Sequence, residues 1–155
     1  MKKSQRIAQL VAALPAGELS SLDPRYIGYF TCFNAGQYYE AHDVLEDLWL
    51  EDRATPESHF YKGLIQFAGA FVHLRKQHDW PLHPKHRARL APAARLFKLA
   101  GKSLAPFTPT HQRLSVDGVC RLCLELSATI VAANFLENPW NPAKPPRLDL
   151  ECAGS

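Results

Sequence analysis

A histidine and a glutamate four residues apart are the residues of this chain best suited to chemistry. His42 and Glu46 lie between Phe33 and Trp49, and a spacing of four places two side chains on one side of a helix. A carboxylate beside an imidazole can fix its tautomer and raise its basicity, as a general base requires. The same pair can supply two ligands to a divalent metal ion. In the structural alternative, the two side chains only satisfy each other within the packing.

A second polar pair occurs on the next predicted helix. Gln66 and His73 are two turns apart with Gly69 between them, so another helix can approach closely there. If the two helices pack antiparallel, as their short connection favours, this pair converges with His42 and Glu46. The candidate site residues are His42, Glu46, Trp49, Gln66 and His73, and the candidate metal ligands are His42, Glu46 and His73.

The helix that carries the first pair has two distinct faces. Apolar side chains recur with the helical period and predict a buried face. This face consists of Tyr38, Ala41, Val44, Leu45, Leu48 and Trp49. The acids expected to face water on the opposite side are Glu40, Asp43, Asp47 and Glu51. His42 and Glu46 fall between the two faces, next to Trp49.

The periodicity along the whole chain predicts an all-α fold, a single multihelical domain of about five to six helices with a central antiparallel helical hairpin. The predicted helices cover about residues 3–14, 24–34, 37–51, 56–77, 85–104 and 115–134. Pro15–Gly17 is expected to end the first helix, and Pro92 to kink or split the fifth. We predict a helical domain over residues 1–137 and a proline-rich, polyproline-like tail over residues 138–155.

Composition is typical of a folded single domain. The chain has 155 residues, of which 46% are hydrophobic and 21% charged, enough to bury a core without disulfide bonds. Cys120 and Cys123 form a single CxxC pair with no second pair to complete a zinc site. With Cys32, they suit packed helical positions, so the sequence favours a reducing cytoplasm. The fourth cysteine is Cys152, and no stretch is apolar enough to predict a membrane span.

Charge is distributed unevenly along the chain. Between Glu40 and Glu57 there are seven acids and one base, whereas residues 80–116 contain no acid. The bases of the second region are Lys85, Arg87, Arg89, Arg95, Lys98, Lys102 and Arg113. Such a stripe can bind phosphate or nucleic acid. Its two phenylalanines have core spacing and do not suit base stacking, so solvated faces are favoured over nucleic-acid binding, and the role of residues 85–113 stays open.

The segments Phe33–Trp49 and Tyr61–His73 together resemble domain-of-unknown-function family 309. The signature positions of that family are occupied here by His42, Asp43, Glu46, Trp49, Gln66 and His73. Many relatives carry glutamate where this chain has Asp43. The resemblance implies a compact, all-helical cytosolic protein of bacterial or plastid type, and it implies no established activity.

A shorter pattern indicates how the chain turns before the third helix. Asn34-x-Gly36-x-Tyr38-x-x-Ala41 is similar to the helix-turn-helix junction of a tetratricopeptide repeat. The chain holds no second copy, so we expect a local hairpin and no repeat array. This interpretation assigns Gly36, Tyr38 and Ala41 to structure.

Two hypotheses for function follow from these patterns. The first is a small binding or interaction module with a His/Glu/Gln polar site between the third and fourth helices, which holds a small ligand or a protein partner. The alternative is a metal-dependent, hydrolase-like enzyme in which His42, Glu46 and His73 hold a divalent metal whose bound water attacks an ester or phosphoester. The apolar final helix is either central or at a subunit interface, which makes a homodimer possible. No membrane association is expected.

Overall fold

The computed structural model describes residues 2–12, 21–86 and 88–151. Its helices are α1 (Lys3–Ala12), α2 (Pro24–Asn34), α3 (Tyr38–Glu51), α4 (Glu57–Asp79), α5 (Leu90–Leu104) and α6 (Val116–Ala132). A 3-10 turn at Ala105–Phe107 and a small antiparallel pair, β1 (Thr110–His111) and β2 (Leu114–Ser115), connect α5 to α6. The predicted all-α class is therefore confirmed. Pro15–Gly17, Arg87 and Cys152 lie outside the described residues.

Local sequence signals explain where several helices begin. The Asp23 side chain caps α2 by accepting a hydrogen bond from the backbone N–H of Arg25 at 2.9 Å, and Pro24 occupies the first helical position. Gly36 adopts a φ of +77° in the turn between α2 and α3, a conformation that favours glycine. Pro92 was expected to kink the fifth helix, and this is wrong. α5 starts at Leu90, so the proline lies in the first turn, where its missing N–H costs nothing.

The interface between α3 and α4 is filled by aromatic rings. Phe71 of α4 stacks on Tyr38 of α3 with ring centroids 5.2 Å apart. Phe33, at the end of α2, stacks on Phe67 at 5.5 Å. All four rings are at most 2% exposed, and Tyr38 lies in the hairpin position that the sequence assigned to it. The two central helices thus meet through an apolar interior.

The opposite side of α4 is covered by α5. A Cβ added at Gly63 would lie 2.6 Å from Leu104 Cγ, so the two helices touch here without room for a side chain. At Gly69 the nearest atom is Leu96 Cδ1, at 3.4 Å. The sequence predicted a close helix approach on this face. The structure confirms a close approach of α4 and α5, but the shortest contact is at Gly63 rather than at Gly69.

The chain beyond α6 returns across the bundle. Trp140 is 8% exposed and donates a hydrogen bond from Nε1 to the Tyr38 hydroxyl at 3.1 Å. The Asn34 side chain donates to the carbonyl of Leu148 at 2.7 Å and accepts from its N–H at 2.8 Å. The described part of the predicted tail is therefore anchored to the helices at Trp140 and Leu148. The boundary at residue 137 stays a prediction.

α6 lies at the edge of the bundle. It packs on α5 through a face that includes Val119, Cys123 and Ile130, while Leu124 on its outer face is 71% exposed. The helix is therefore not central, and a homodimer stays a prediction. Over the described residues, no helix combines the length and the apolar character needed to cross a membrane.

The two glycines of α4 make a matched test of this packing. We expect Gly63→Ala to lower the free energy of unfolding by about 1–3 kcal/mol, because the new methyl group collides with Leu104. Gly69→Ala is expected to raise it by up to about 1 kcal/mol, because alanine is the better helix former and Leu96 can move aside. Urea denaturation measures both values. Equal effects of the two substitutions would contradict the close contact at Gly63.

Candidate functional site

His42 and Glu46 lie side by side on α3, as their spacing predicted. The His42 Nε2 atom is 3.8 Å from Glu46 Oε2, and its Nδ1 atom is 3.4 Å from Asp43 Oδ1. Both side chains are about a third exposed. Glu46 accepts a hydrogen bond from Lys3 Nζ of α1 at 2.8 Å, and this contact lowers the pKa of Glu46. The pair is therefore linked to α1, an element that the sequence hypothesis did not include.

Asp43 was expected to face water, and this is wrong. Its exposed fraction is only 7%, because α1 lies over it. Arg6 of α1 donates from Nη2 to Asp43 Oδ2 at 3.1 Å, and Lys3 Nζ is 3.8 Å from Oδ1. A carboxylate is rarely buried unless it is paired with a cation. The helical phase of α3 alone could not reveal that another element covers this side.

Two further acids of α3, Asp47 and Glu51, pair with α2. Arg25 donates to Asp47 at 2.8 Å and to Glu51 at 2.8 Å, while it also contacts Asp23. Hydrogen bonds to these carboxylates, that to Glu51 foremost, raise the pKa of Arg25 and lower that of Glu51. Trp49 is half-buried against the core, and the Arg53 guanidinium lies 5.1 Å from its ring centroid. These contacts hold α3 in place.

Gln66 and His73 face α5 instead of α3. Gln66 accepts a hydrogen bond on Oε1 from the Ser103 hydroxyl at 3.0 Å. His73 Nδ1 lies 2.9 Å from Arg89 Nη1, just before α5 begins. Burial, and after it the positive charge of Arg89, lowers the pKa of His73 to about 4. The imidazole is therefore neutral at pH 7 and accepts the hydrogen bond from Arg89.

The expected convergence of the four polar residues is not found. His42 and Glu46 contact α1, whereas Gln66 and His73 contact the α5 side, and aromatic rings fill the space between α3 and α4. Within residues 2–12, 21–86 and 88–151, no group of three histidine, cysteine, aspartate or glutamate side chains could hold a metal ion. His42, Glu46 and His73 are therefore not brought together as a metal site there.

A groove runs between α1 and α3 beside the two ion pairs. Its volume is about 290 Å³, and its lining is mostly apolar. The lining residues are Arg6, Ile7, Gln9, Leu10, Glu40, Asp43 and Val44. We call this the α1/α3 groove. The sequence contains a signal for this contact between α1 and α3. Lys3 and Arg6 are three residues apart, as are their partners Asp43 and Glu46.

A further polar cluster joins the β1–β2 turn to the start of α4. His111 Nε2 and Gln112 Nε2 both lie 2.5 Å from Glu57 Oε1, and Gln112 also donates to the Tyr61 hydroxyl. The ring of Phe60 packs against the imidazole at a centroid distance of 4.6 Å. The contacts fix the turn onto α4. Sequence reasoning missed them because the partners are more than fifty residues apart.

Comparison with known proteins finds matches to the central segment of the chain. Residues 26–80, from α2 to the end of α4, match a family described as "Domain of unknown function (DUF309)". The predicted resemblance is confirmed over this segment. The chain is also 40% identical over 53 residues to the uncharacterized protein YpuF of Bacillus subtilis, an alignment that covers 34% of this chain. That alignment spans only 30% of the relative, and no solved structure gives a significant match.

The pKa of His73 leads to a prediction about acid stability. The native pKa is about 4 and the usual value is 6.5, so the unfolded chain binds the proton more readily between these values. The contribution of neutral His73 to the free energy of unfolding is therefore fully present above pH 6.5. It decreases by on the order of 2 kcal/mol as the pH falls towards 4. His73→Gln keeps an acceptor for Arg89 and should remove most of this decrease. Urea denaturation at pH 7 and pH 4.5 tests it, and an unchanged pH dependence in the variant would contradict the assignment.

Proposed function

We propose that this protein is an interaction module that binds a basic amphipathic helix on the acidic side of α3. The surface, here called the docking surface, comprises His42, Asp43, Val44 and Glu46. In the structure α1 occupies it. The observation that carries the proposal is the burial of Asp43 beneath α1, with Arg6 at 3.1 Å.

The order of α1 depends on its docking. A helix of ten residues is marginal in water, so tertiary contacts must hold it. On one side of the helix, the cations Lys3 and Arg6 contact the acids of α3. Next to them, the partly buried side chains of Ile7 and Leu10 pack against the core. This combination is that of an amphipathic helix that lies in a groove and contributes charge and apolar surface along one stripe.

The energy of these contacts suits a displaceable helix. The Lys3–Glu46 pair is partly exposed and contributes about 0–1 kcal/mol. The Arg6–Asp43 hydrogen bond contributes about 1.5–3 kcal/mol, since both groups are charged. Partial burial of Ile7 and Leu10 adds about 1 kcal/mol each. The loss of chain entropy on ordering the helix opposes these gains, so α1 is held by few contacts and a partner can compete for its surface.

The α1/α3 groove indicates what a partner would offer. It is lined by Ile7, Leu10 and Val44 next to the ion pairs, so α1 leaves apolar surface unfilled between the described side chains. A partner helix with larger apolar residues at these two α1 positions, and with Lys or Arg three residues apart, would bury more surface. The proposed partner is therefore a protein segment of this chemistry.

The sequence hypothesis of a binding module is kept, with its site moved. His42 and Glu46 belong to the docking surface, whereas Trp49 supports α3, and Gln66 and His73 belong to a different surface. The hydrolase alternative is not favoured, since His73 lies on the α5 side and no group of three such side chains among the described residues could hold a metal ion. We assign no catalytic residue. A reducing cytoplasm remains the proposed location, in agreement with the buried thiols of Cys32 and Cys123.

A peptide of residues 2–12 tests the docking surface in the full chain. In the double variant Ile7→Ser/Leu10→Ser, the native α1 loses its apolar contacts and should leave α3. We expect the added peptide to bind this variant at least about tenfold more tightly than it binds the wild type, because the surface is free. An NMR titration measures the affinity, and the shifted amides should lie on α3.

Two further substitutions in that variant provide the control. Asp43→Asn should weaken peptide binding about tenfold, because the charge-assisted bond to Arg6 is lost. Asp117→Asn removes an exposed acid of α6 and should change nothing. Equal loss with both substitutions would show only general charge attraction, and peptide binding as strong to the wild type as to the double variant would contradict docking of α1 at this surface.

A further inference from the structure

A second groove, of about 330 Å³, lies between α4 and α5 on the side away from α3. Its polar lining is provided by Lys62, Lys102, His59, Gln66 and Ser103, and its apolar lining by Leu99 and Pro106. We call this the α4/α5 groove. It contains Gln66, which the sequence had selected as a site residue, and it has a volume in the range of small-molecule sites.

The cations of this groove face no carboxylate among the described residues. α5 contains no acid, and the two acids of α4 lie at its ends. Glu57 is bound to His111 and Gln112, while Asp79 contacts Arg75 and His78. Neither Lys62 nor Lys102 makes an ion pair within the described residues. Two ammonium groups on opposite walls are therefore available to an anion.

The positive potential extends along the same side of α4. Gln66 and His73 are two turns apart on one stripe of the helix, and Arg89, Lys76 and Arg95 lie close enough to His73 to lower its pKa, after burial as the main cause. Arg89 Nη1 lies 2.9 Å from His73 Nδ1, so a cation also borders this side of α4. A ligand with a negative charge would relieve the mutual repulsion of these cations.

We propose that the α4/α5 groove binds an organic phosphate ester, with Lys62 and Lys102 on the phosphate and Leu99 against the apolar part. The Ser103 hydroxyl donates to Gln66 Oε1 at 3.0 Å and so orients the amide, whose Nε2 is a further donor for a phosphate oxygen. Leu99 is 47% exposed and provides the apolar wall. The inference is independent of helix binding on α3, because it uses another face of the bundle.

A small ester fits these observations better than a nucleic acid does. Binding of single strands relies on aromatic side chains that stack on successive bases. The groove is lined by two aliphatic side chains, two lysines, Gln66, Ser103 and the imidazole of His59. A phosphate with one apolar substituent matches both the charge and the Leu99 wall, whereas inorganic phosphate uses only the lysines and the amide.

Phenyl phosphate and inorganic phosphate are the probes that test this site in the full chain. We expect phenyl phosphate to bind at least about threefold more tightly, because only it contacts Leu99. Lys62→Ala and Lys102→Ala should each weaken both ligands at least about fivefold. Leu99→Ser should reduce phenyl phosphate to the affinity of inorganic phosphate and leave the latter unchanged. NMR titrations at fixed ionic strength measure all of these affinities.

Lys144→Ala is the matched control, since Lys144 is an exposed lysine of the C-terminal segment. Equal weakening by Lys144→Ala and Lys62→Ala, or no weakening by Lys62→Ala and Lys102→Ala in folded variants, would overturn the proposal. A single-stranded RNA octamer that binds more tightly than phenyl phosphate, and loses affinity on Arg95→Ala as well as on Lys62→Ala, would also overturn it. Circular dichroism of each variant verifies that the fold is retained.

Discussion

The packing of α4 between α2 and α3 on one side and α5 on the other is the constraint on which the rest of this structure depends. On one side, Phe67 and Phe71 meet aromatic rings of α2 and α3; on the other, Gly63 lets Leu104 of α5 come into contact. A helix that is closed on both sides by apolar contact leaves no interior space for a polar centre. Polar residues of the central helices must then lie at the outer edges of these helix interfaces.

This constraint separates the polar residues into two surfaces of opposite charge. The acidic edge of α3 carries Asp43 and Glu46 and is covered by the basic helix α1. The outer edge of α4, next to α5, carries Lys62 and the neutral His73, and the described lining of the α4/α5 groove contains no carboxylate. The acidic and basic stretches of the sequence thus lie on two separate surfaces, and each surface attracts groups of the opposite charge.

The sequence predicted the elements well because their signals are local. The cap at Asp23, the turn at Gly36 and the apolar period of α3 each depend on neighbouring residues, and the helix bounds follow from them. The pairing of polar side chains depended on which helix covers which face. The spacing of Gln66 and His73 predicted that they share one side of α4, but it could not show that α5 covers that side, or that α1 covers Asp43. Contacts between residues distant in sequence were therefore missed.

The central claim is that α1 is a separable occupant of the docking surface and not part of the core. Amide hydrogen exchange of the wild-type chain, resolved by residue, tests it most directly. The account predicts that amides of α1 exchange at least about a hundredfold faster than those of α4 under native conditions. Their exchange should be faster still in about 0.5 M salt, because salt screens the ion pairs to Asp43 and Glu46. Exchange of α1 only through global unfolding, at a rate that salt does not change, would contradict it.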